Sequence, residues 1–341
     1  MGKTHTVRFE PVGIEMEADE DETILAAAFR QGIMLMHGCK EGQCSACKSF
    51  LLDGDVDLDK YSTFALPDFE EAEGWTLLCR AHAYSDLEVE LINYDEEALH
   101  GGTPPRTVSA NVTAVEALTH DITRLCLTVD DGDPFEFKPG QYVDIRIPGH
   151  DDEHRSFSMA NLPSDAPDLE FMIKLYEGGH FSGLLADDTI KEGEQLSLTG
   201  PFGVFTLRTS SPRRLLFIGG GAGMAPILSL LRSMREAGVE RPASYYYGAR
   251  GPKDLFHLEE LEELVRDLPS FAFVPALSEP SDDDGWTGET GLITDVVDRM
   301  EEDLAEVDAY LCGPPPMVEA GRKAAEAAGL PRQDVLCERF A

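Results

Sequence analysis

The sequence predicts a multidomain protein of mixed α+β and α/β class, built as a small cysteine-bearing domain, an antiparallel β-barrel and a parallel sheet flanked by helices. Three observations carry this. The chain has 341 residues, 42% of them apolar, enough for two or three cores rather than one. From about 106 to 208 it runs in short alternating segments, ANVTAVEAL, LCLTVD, YVDIRI, LEFMIKL and QLSLTG, separated by turn signals, the pattern of an antiparallel barrel. From about 212 apolar strands alternate with helical stretches: RLLFIGG, MAPILSLLRSMREAG, ASYYYGA, LEELEELVRDL, FAFVPAL, LITDVVDRM, DAYLCG and MVEAGRKAAEAAG. Such a βαβ series calls for a parallel sheet with helices on its faces. The expected domains are residues 1–98, 107–210 and 211–341. Residues 99–106, with Gly101, Gly102, Pro104 and Pro105, are expected as the linker after the first.

Charge and composition exclude several functions. The formal net charge of −36 opposes binding to nucleic acid or an anionic membrane surface. Residues 1–98 hold 22 acidic against 7 basic residues, so the acid is densest at the start; it suits either a docking face for a basic partner or plain solubility. The opening MGKTHTVRFE has no apolar run behind a basic patch, so a cytoplasmic protein is expected. The uncharged stretch between Arg214 and Arg232 is short for a bilayer and is broken by glycines and Pro226.

Four of the seven cysteines carry the strongest signal. Cys39, Cys44 and Cys47 have the spacing C-x4-C-x2-C, and Cys79 follows in LLCRAH after 31 intervening residues. That is the plant-type spacing for a two-iron, two-sulfur cluster. Gly38, Gly42, Ser45 and Ala46 let backbone N–H groups approach an anionic cluster closely. A structural zinc site usually pairs its ligands in two short knuckles, whereas here the fourth cysteine stands alone. Lys40 and Lys48 are expected as local charge balance or part of a docking face.

The stretch from Thr6 through Gly54, with its cysteine loop, resembles the ferredoxin domain that opens the reductase components of bacterial di-iron monooxygenases, most closely the soluble propane and methane type. The resemblance implies a β-grasp fold with Thr23 to Gln31 as the helix on its sheet.

R-S-F-S, Arg155 to Ser158, is similar to the R-x-Y-S flavin signature of the ferredoxin reductase family. Arg155 suits a diphosphate, Phe157 a flat isoalloxazine, and Ser158 the flavin N5, with Ser156 between them. YEGGHFSGLLADD places Gly178, Gly179 and Ser182 at a turn into a short helix, an anion site. The strand Phe171 to Leu175, including Ile173 and Lys174, would run beneath the ribityl chain. FAD is preferred over FMN through the resemblance.

GGGAGMAP, with Gly220, Gly221, Ala222, Gly223 and Met224, follows an apolar strand and opens a helix, the context of a phosphate-binding loop. CGPPPM, with Cys312, Gly313, Pro314, Pro315 and Met317, follows another strand. In the resembled family this loop closes over the nicotinamide, with the cysteine near the carbon that yields hydride. The tail CERFA puts Phe340 where the family shields its flavin, with Glu338 nearby. Catalytic roles are therefore expected for Ser158, Cys312 and Phe340. For the ribose, YYYGARGPKDLF offers no acid in the expected place, and Arg250 with Lys253 suits a 2′-phosphate; the resemblance instead favours NADH.

The resemblance implies electron flow from NADH to FAD to the [2Fe-2S] cluster and on to a di-iron hydroxylase docked on the ferredoxin domain of a monomeric reductase. The alternatives are the reductase of a ring-hydroxylating dioxygenase or phenol hydroxylase and, from another class, a redox sensor or zinc adaptor.

Overall fold

Alternation along the first strand places Val7 and Phe9 in the core with no exposed surface, which commits the opposite face of that strand to solvent. The computed structural model describes residues 2–130, 132 and 134–340. The chain divides into two compact units between Pro105 and Arg106.

The first unit contains β1 (Thr4–Glu10), β2 (Ile14–Asp19), α1 (Ile24–Arg30), β3 (Lys48–Asp53), β4 (Val56–Leu58), α2 (Asp68–Ala72), β5 (Trp75–Leu77), β6 (Ala81–Ala83), β7 (Leu87–Glu90) and α3 (Glu96–Leu99). Its mixed sheet has the order β2-β1-β7-β3-β5, with β1 and β7 parallel. The helix α1 starts where the Thr23 hydroxyl accepts from the Ala26 N–H at 3.2 Å, an N-cap. It buries Ile24, Leu25, Ala27, Ala28 and Phe29. This is the β-grasp arrangement, and the long connection from α1 to β3 carries three of the four cysteines.

The second unit begins with β8 (Arg106–Ala117), β9 (Ile122–Val129), β10 (Tyr142–Ile147), β11 (His150–Ser158), β12 (Asp168–Lys174), α4 (His180–Ala186) and β13 (Gln195–Phe202). These strands form an antiparallel sheet of order β11-β10-β13-β8-β9-β12. A bridge between Met159 and Phe171 joins its two edges, so that Leu125, Val143, Phe171 and Leu198 fill a closed interior with no exposed surface.

The same unit continues with β14 (Arg214–Gly220), α5 (Met224–Ala237), β15 (Ala243–Ala249), α6 (Leu258–Asp267), β16 (Phe271–Leu277), β17 (Glu289–Thr290), α7 (Ile293–Met300), β18 (Val307–Gly313), α8 (Pro315–Ala327) and β19 (Val335–Arg339). The sheet order is β17-β16-β15-β14-β18-β19, parallel throughout. Strand order reverses between β14 and β18, and in such sheets ligands bind outside the carboxyl ends of the strands at that point. The uncharged stretch after Arg214 is β14, a tight turn and α5; among the described residues no helix is long and apolar enough to cross a membrane.

Polar contacts clamp the barrel to the parallel sheet. The Ser229 hydroxyl on α5 donates to the Asn161 carbonyl at 2.7 Å, and Arg232 donates to Glu170 on β12 and to the Ala160 carbonyl at 2.7 and 2.8 Å. Glu170 is held below the usual carboxylate range, the flanking Arg232 and Arg124 outweighing its burial. A buried pair of this kind positions elements more than it stabilises them.

Candidate functional site

Three left-handed residues, Lys40, Gly42 and Ser45, turn the loop between α1 and β3 tightly. The result points backbone donors inward. Cys39 N–H donates to Cys44 Sγ at 3.3 Å, and Gln43 and Glu41 N–H donate to Cys39 Sγ at 3.2 and 3.4 Å. A Cβ on Gly38 would sit 2.9 Å from Cys44 Sγ, so any side chain there would displace a sulfur.

The four sulfurs fall into two pairs. The Cys44 thiol hydrogen-bonds Cys39 and, with the backbone donors, pulls its thiol down to about 5, while Cys44 is pushed up. Cys47 and Cys79 are coupled in the same way, with Cys79 lowered and Cys47 raised. Among the described residues no three of these sulfurs lie within 4.8 Å of one another. Two pairs suit two metals bridged within one cluster. Arg80 pairs with Asp59 at 3.4 Å while its Nε–H is buried and without a partner among the described residues, and Cys79 is lowered first by the Cys47 hydrogen bond and last by the Arg80 charge.

In the barrel, β10 pairs with β11 so that Ser158 lies opposite Tyr142 and Phe157 opposite Val143. Arg155 is exposed and donates to the His154 carbonyl at 2.7 Å; Ser156 donates to Asp144 at 2.6 Å. Phe157 stacks at a tilt on Phe181 of α4, ring centres 4.9 Å apart. The Ser182 hydroxyl bonds the backbone of Tyr176, accepting from its N–H at 3.1 Å, so it braces the turn at Gly178 and Gly179. Ile173 is buried on β12, and Lys174 at the strand's end pairs with Asp121.

The chain's end returns to this place. Ser158 Oγ donates to Glu338 Oε2 at 2.9 Å, and Phe340 N–H donates to the Gly313 carbonyl at 2.9 Å. Desolvation pushes the Glu338 carboxyl up to about 8. An unfolded Glu338 loses its proton near 4.5, so between those two values the folded state holds the extra proton and stability falls as pH rises. Glu338→Gln should remove that slope in thermal melts taken across the interval; an unchanged slope would place the titration elsewhere.

The two nucleotide-type loops meet backbone to backbone at the switch point. Gly219 aligns with Cys312 across β14 and β18, and a Cβ on Gly223 would lie 2.2 Å from the Cys312 carbonyl oxygen. Gly220 lies against Met317 of the second loop, where a Cβ would come 2.9 Å from its sulfur. Cys312 has no exposed surface, and burial holds its thiol well above the usual range. Pro314 caps α8 and Pro315 opens it, a position where the missing N–H costs nothing.

Family models match in the same order: a 2Fe-2S iron-sulfur cluster binding domain over residues 7–84, an oxidoreductase FAD-binding domain over 109–207 and an oxidoreductase NAD-binding domain over 217–323. The propane 2-monooxygenase reductase component of Mycolicibacterium smegmatis is 52% identical over 343 residues, spanning 100% of this chain and 98% of the relative. The chain belongs to the monooxygenase reductase components. The phenol 2-monooxygenase reductase component of a Pseudomonas species is 36% identical over 99% of this chain and 94% of its own. Among solved structures, the cytochrome P450 reductase of Amycolatopsis superposes with a TM-score of 0.85 at 30% identity, covering 98% of each chain.

The structure adds to this reductase what its sequence did not disclose. Lys48 pairs with Glu70 on α2, so that charge is neutralised there, and Arg80, paired with Asp59, is the cation whose charge acts on Cys79. The segment after β15 carries an acid, Asp254, that is turned toward the chain's own Arg250. A 3₁₀ turn at Pro252–Asp254 folds Asp254 back to accept from the Gly251 N–H at 2.9 Å and from Arg250 at 3.1 Å. Spacing alone hides it, because a turn rather than the strand sets where its carboxylate lies.

Proposed function

We propose that this chain is the NADH-oxidising component of a soluble di-iron alkane monooxygenase and that its N-terminal domain docks on the hydroxylase. Full-length identity of 52% to a propane 2-monooxygenase reductase component, against 36% to a phenol-directed one, carries this reading. FAD, when bound, would supply the match between a two-electron hydride donor and a one-electron cluster.

The chain's own residues hold and order these groups. Cys39, Cys44, Cys47 and Cys79 ligate the cluster. Arg155, Ser156, Phe157, Ile173, Lys174, Gly178, Gly179 and Ser182 would hold the flavin, and Ser158, hydrogen-bonded to Glu338, would face it. The loops from Gly220 to Met224 and from Cys312 to Met317 would receive the dinucleotide, and Phe340, whose N–H is anchored on the Gly313 carbonyl, would shield the flavin. Reconstitution with the neighbouring-gene hydroxylase tests the proposal: NADH-dependent propane hydroxylation supports it, and coupling only to an aromatic substrate would overturn it.

For docking we assign Phe64 as the anchor. It is 96% exposed in a segment that grips the cysteine loop, with Ser62 N–H donating to Gly42 O at 3.0 Å and Ser45 Oγ to Ala65 O at 3.1 Å. Phe69, five residues on, is 65% exposed, and Asp59, Asp68, Glu70, Glu71 and Glu73 lie beside the two in sequence. An aromatic centre in a charged rim is the anatomy of a hot spot. Phe64→Ala should raise the hydroxylase concentration for half-maximal rate by about tenfold and leave ferricyanide reduction unchanged; equal titration curves would remove Phe64 from the interface.

A further inference from the structure

Where the second strand of a nucleotide-binding sheet ends, an acid usually receives the adenosine ribose of NAD, or an arginine the 2′-phosphate of NADP. In this chain β15 pairs in parallel with β14, bringing Gly248 level with Gly220 of the glycine loop, and Arg250 follows directly. The position is also tied to that loop by a side chain. Tyr247 Oη donates to the Gly221 carbonyl at 3.3 Å, and its phenol is pushed up first by burial and then by the charges of Asp254 and Asp121.

Arg250 is already engaged. Its Nη2 donates to Asp121 Oδ2 at 2.9 Å and to Asp254 Oδ1 at 3.1 Å. Asp121 also pairs with Lys174, and His120 Nε2 lies 3.3 Å from it. Both carboxylates are largely buried, at 18% and 10% side-chain exposure, while Arg250 is 56% exposed. Asp254 is anchored further by the Gly251 N–H. His120, Asp121 and Asp254 are close enough to hold a cation, but Arg250 and Lys174 supply the positive charge. The cluster of two carboxylates with two cations is balanced, so a phosphate group of charge near −2 that approaches the exposed side of Arg250 meets a guanidinium whose charge two adjacent carboxylates already offset.

We propose that the Asp121–Arg250–Asp254 bridge is the element by which this reductase rejects a 2′-phosphorylated nicotinamide dinucleotide. The inference rests on the reductase reading and adds its selectivity device. Arg250, whose type alone suits NADPH, acts for NADH because the fold supplies it with two acids.

The test uses the full-length holoprotein with ferricyanide as acceptor and compares kcat/KM for NADH and NADPH in wild type, Asp121→Asn and Asp254→Asn. Asp121→Asn should shift the ratio toward NADPH by about tenfold, and adding Arg250→Ala should reverse the shift. Calorimetry with 2′,5′-ADP and 5′-ADP on the same proteins gives a readout independent of turnover, with tighter 2′,5′-ADP binding expected in Asp121→Asn. Should Asp254→Asn fail to fold, Asp121→Asn still decides, since Asp121 lies on the other side of the bridge. An unchanged ratio in Asp121→Asn, or a wild type that prefers NADPH, would overturn the proposal. A wild type that oxidises neither nucleotide would instead sink the reductase reading itself.

Discussion

Cys47→Ser abolishes NADH-driven reduction of cytochrome c while ferricyanide, which takes electrons from flavin directly, is still reduced. Cys47 is 5% exposed and is hydrogen-bonded to Cys79, so the substitution would remove one of the two thiolates that pair offers to a metal. A hydroxyl is a harder and more weakly bound ligand than a thiolate, so Cys79 with a serine hydroxyl would hold that metal less tightly. The one-electron route should fall by on the order of a hundredfold, with the visible cluster bands lost in the same preparation. Retained cytochrome c reduction together with intact cluster bands would remove Cys47 from the ligand set. Loss of both activities would mean instead that the flavin unit depends on the first domain for its folding.

Gly223→Ala carries the second large effect. The added Cβ would meet the Cys312 carbonyl oxygen at 2.2 Å, its carbon at 2.5 Å and Gly313 N at 2.7 Å. All three are backbone atoms, so no side-chain rotation relieves the clash and the two loops must part. Because a displacement of an ångström near a reacting centre can cost about a hundredfold, kcat/KM for NADH should fall by that order and the melting temperature with it. Gly221 provides the contrast: a Cβ there meets nothing within 4 Å, but its φ is +57. Gly221→Ala should therefore act mainly through backbone strain of about 1 kcal/mol. Equal kinetics in wild type and Gly223→Ala would show that the loops need not touch to work.

Much of the architecture was legible because it is written in local periods. The βαβ series predicted every strand of the parallel sheet except the short β17 and the terminal β19; the helix at Thr23 to Gln31, which the family resemblance rather than any period implied, appears as α1 with those residues as its caps. The strand β11 was not among the alternating segments. HDDEHRSFS is mostly polar because β11 ends the sheet order and shows solvent much of its length, so the two-residue apolar period is absent. That strand nonetheless carries Arg155 to Ser158. Arg80 gave no signal either: an arginine after a cysteine is an ordinary surface residue until the fold buries its Nε.

By itself the sequence determined which chemistry the chain can hold. Ligand spacing, a glycine loop after an apolar strand and a proline at a helix start are all set by residues a few positions apart, where backbone geometry leaves little choice. Only the tertiary structure decided which of those groups act together. Ser158 and Glu338 are 180 residues apart, Arg250 and Asp121 are 129 apart, and Gly223 touches a loop on another strand. Such contacts depend on how sheets and loops pack over long chain separations, and one-dimensional spacing carries no record of that packing. The same arginine that by its type suits a phosphate is, once folded between two carboxylates, the group that excludes one.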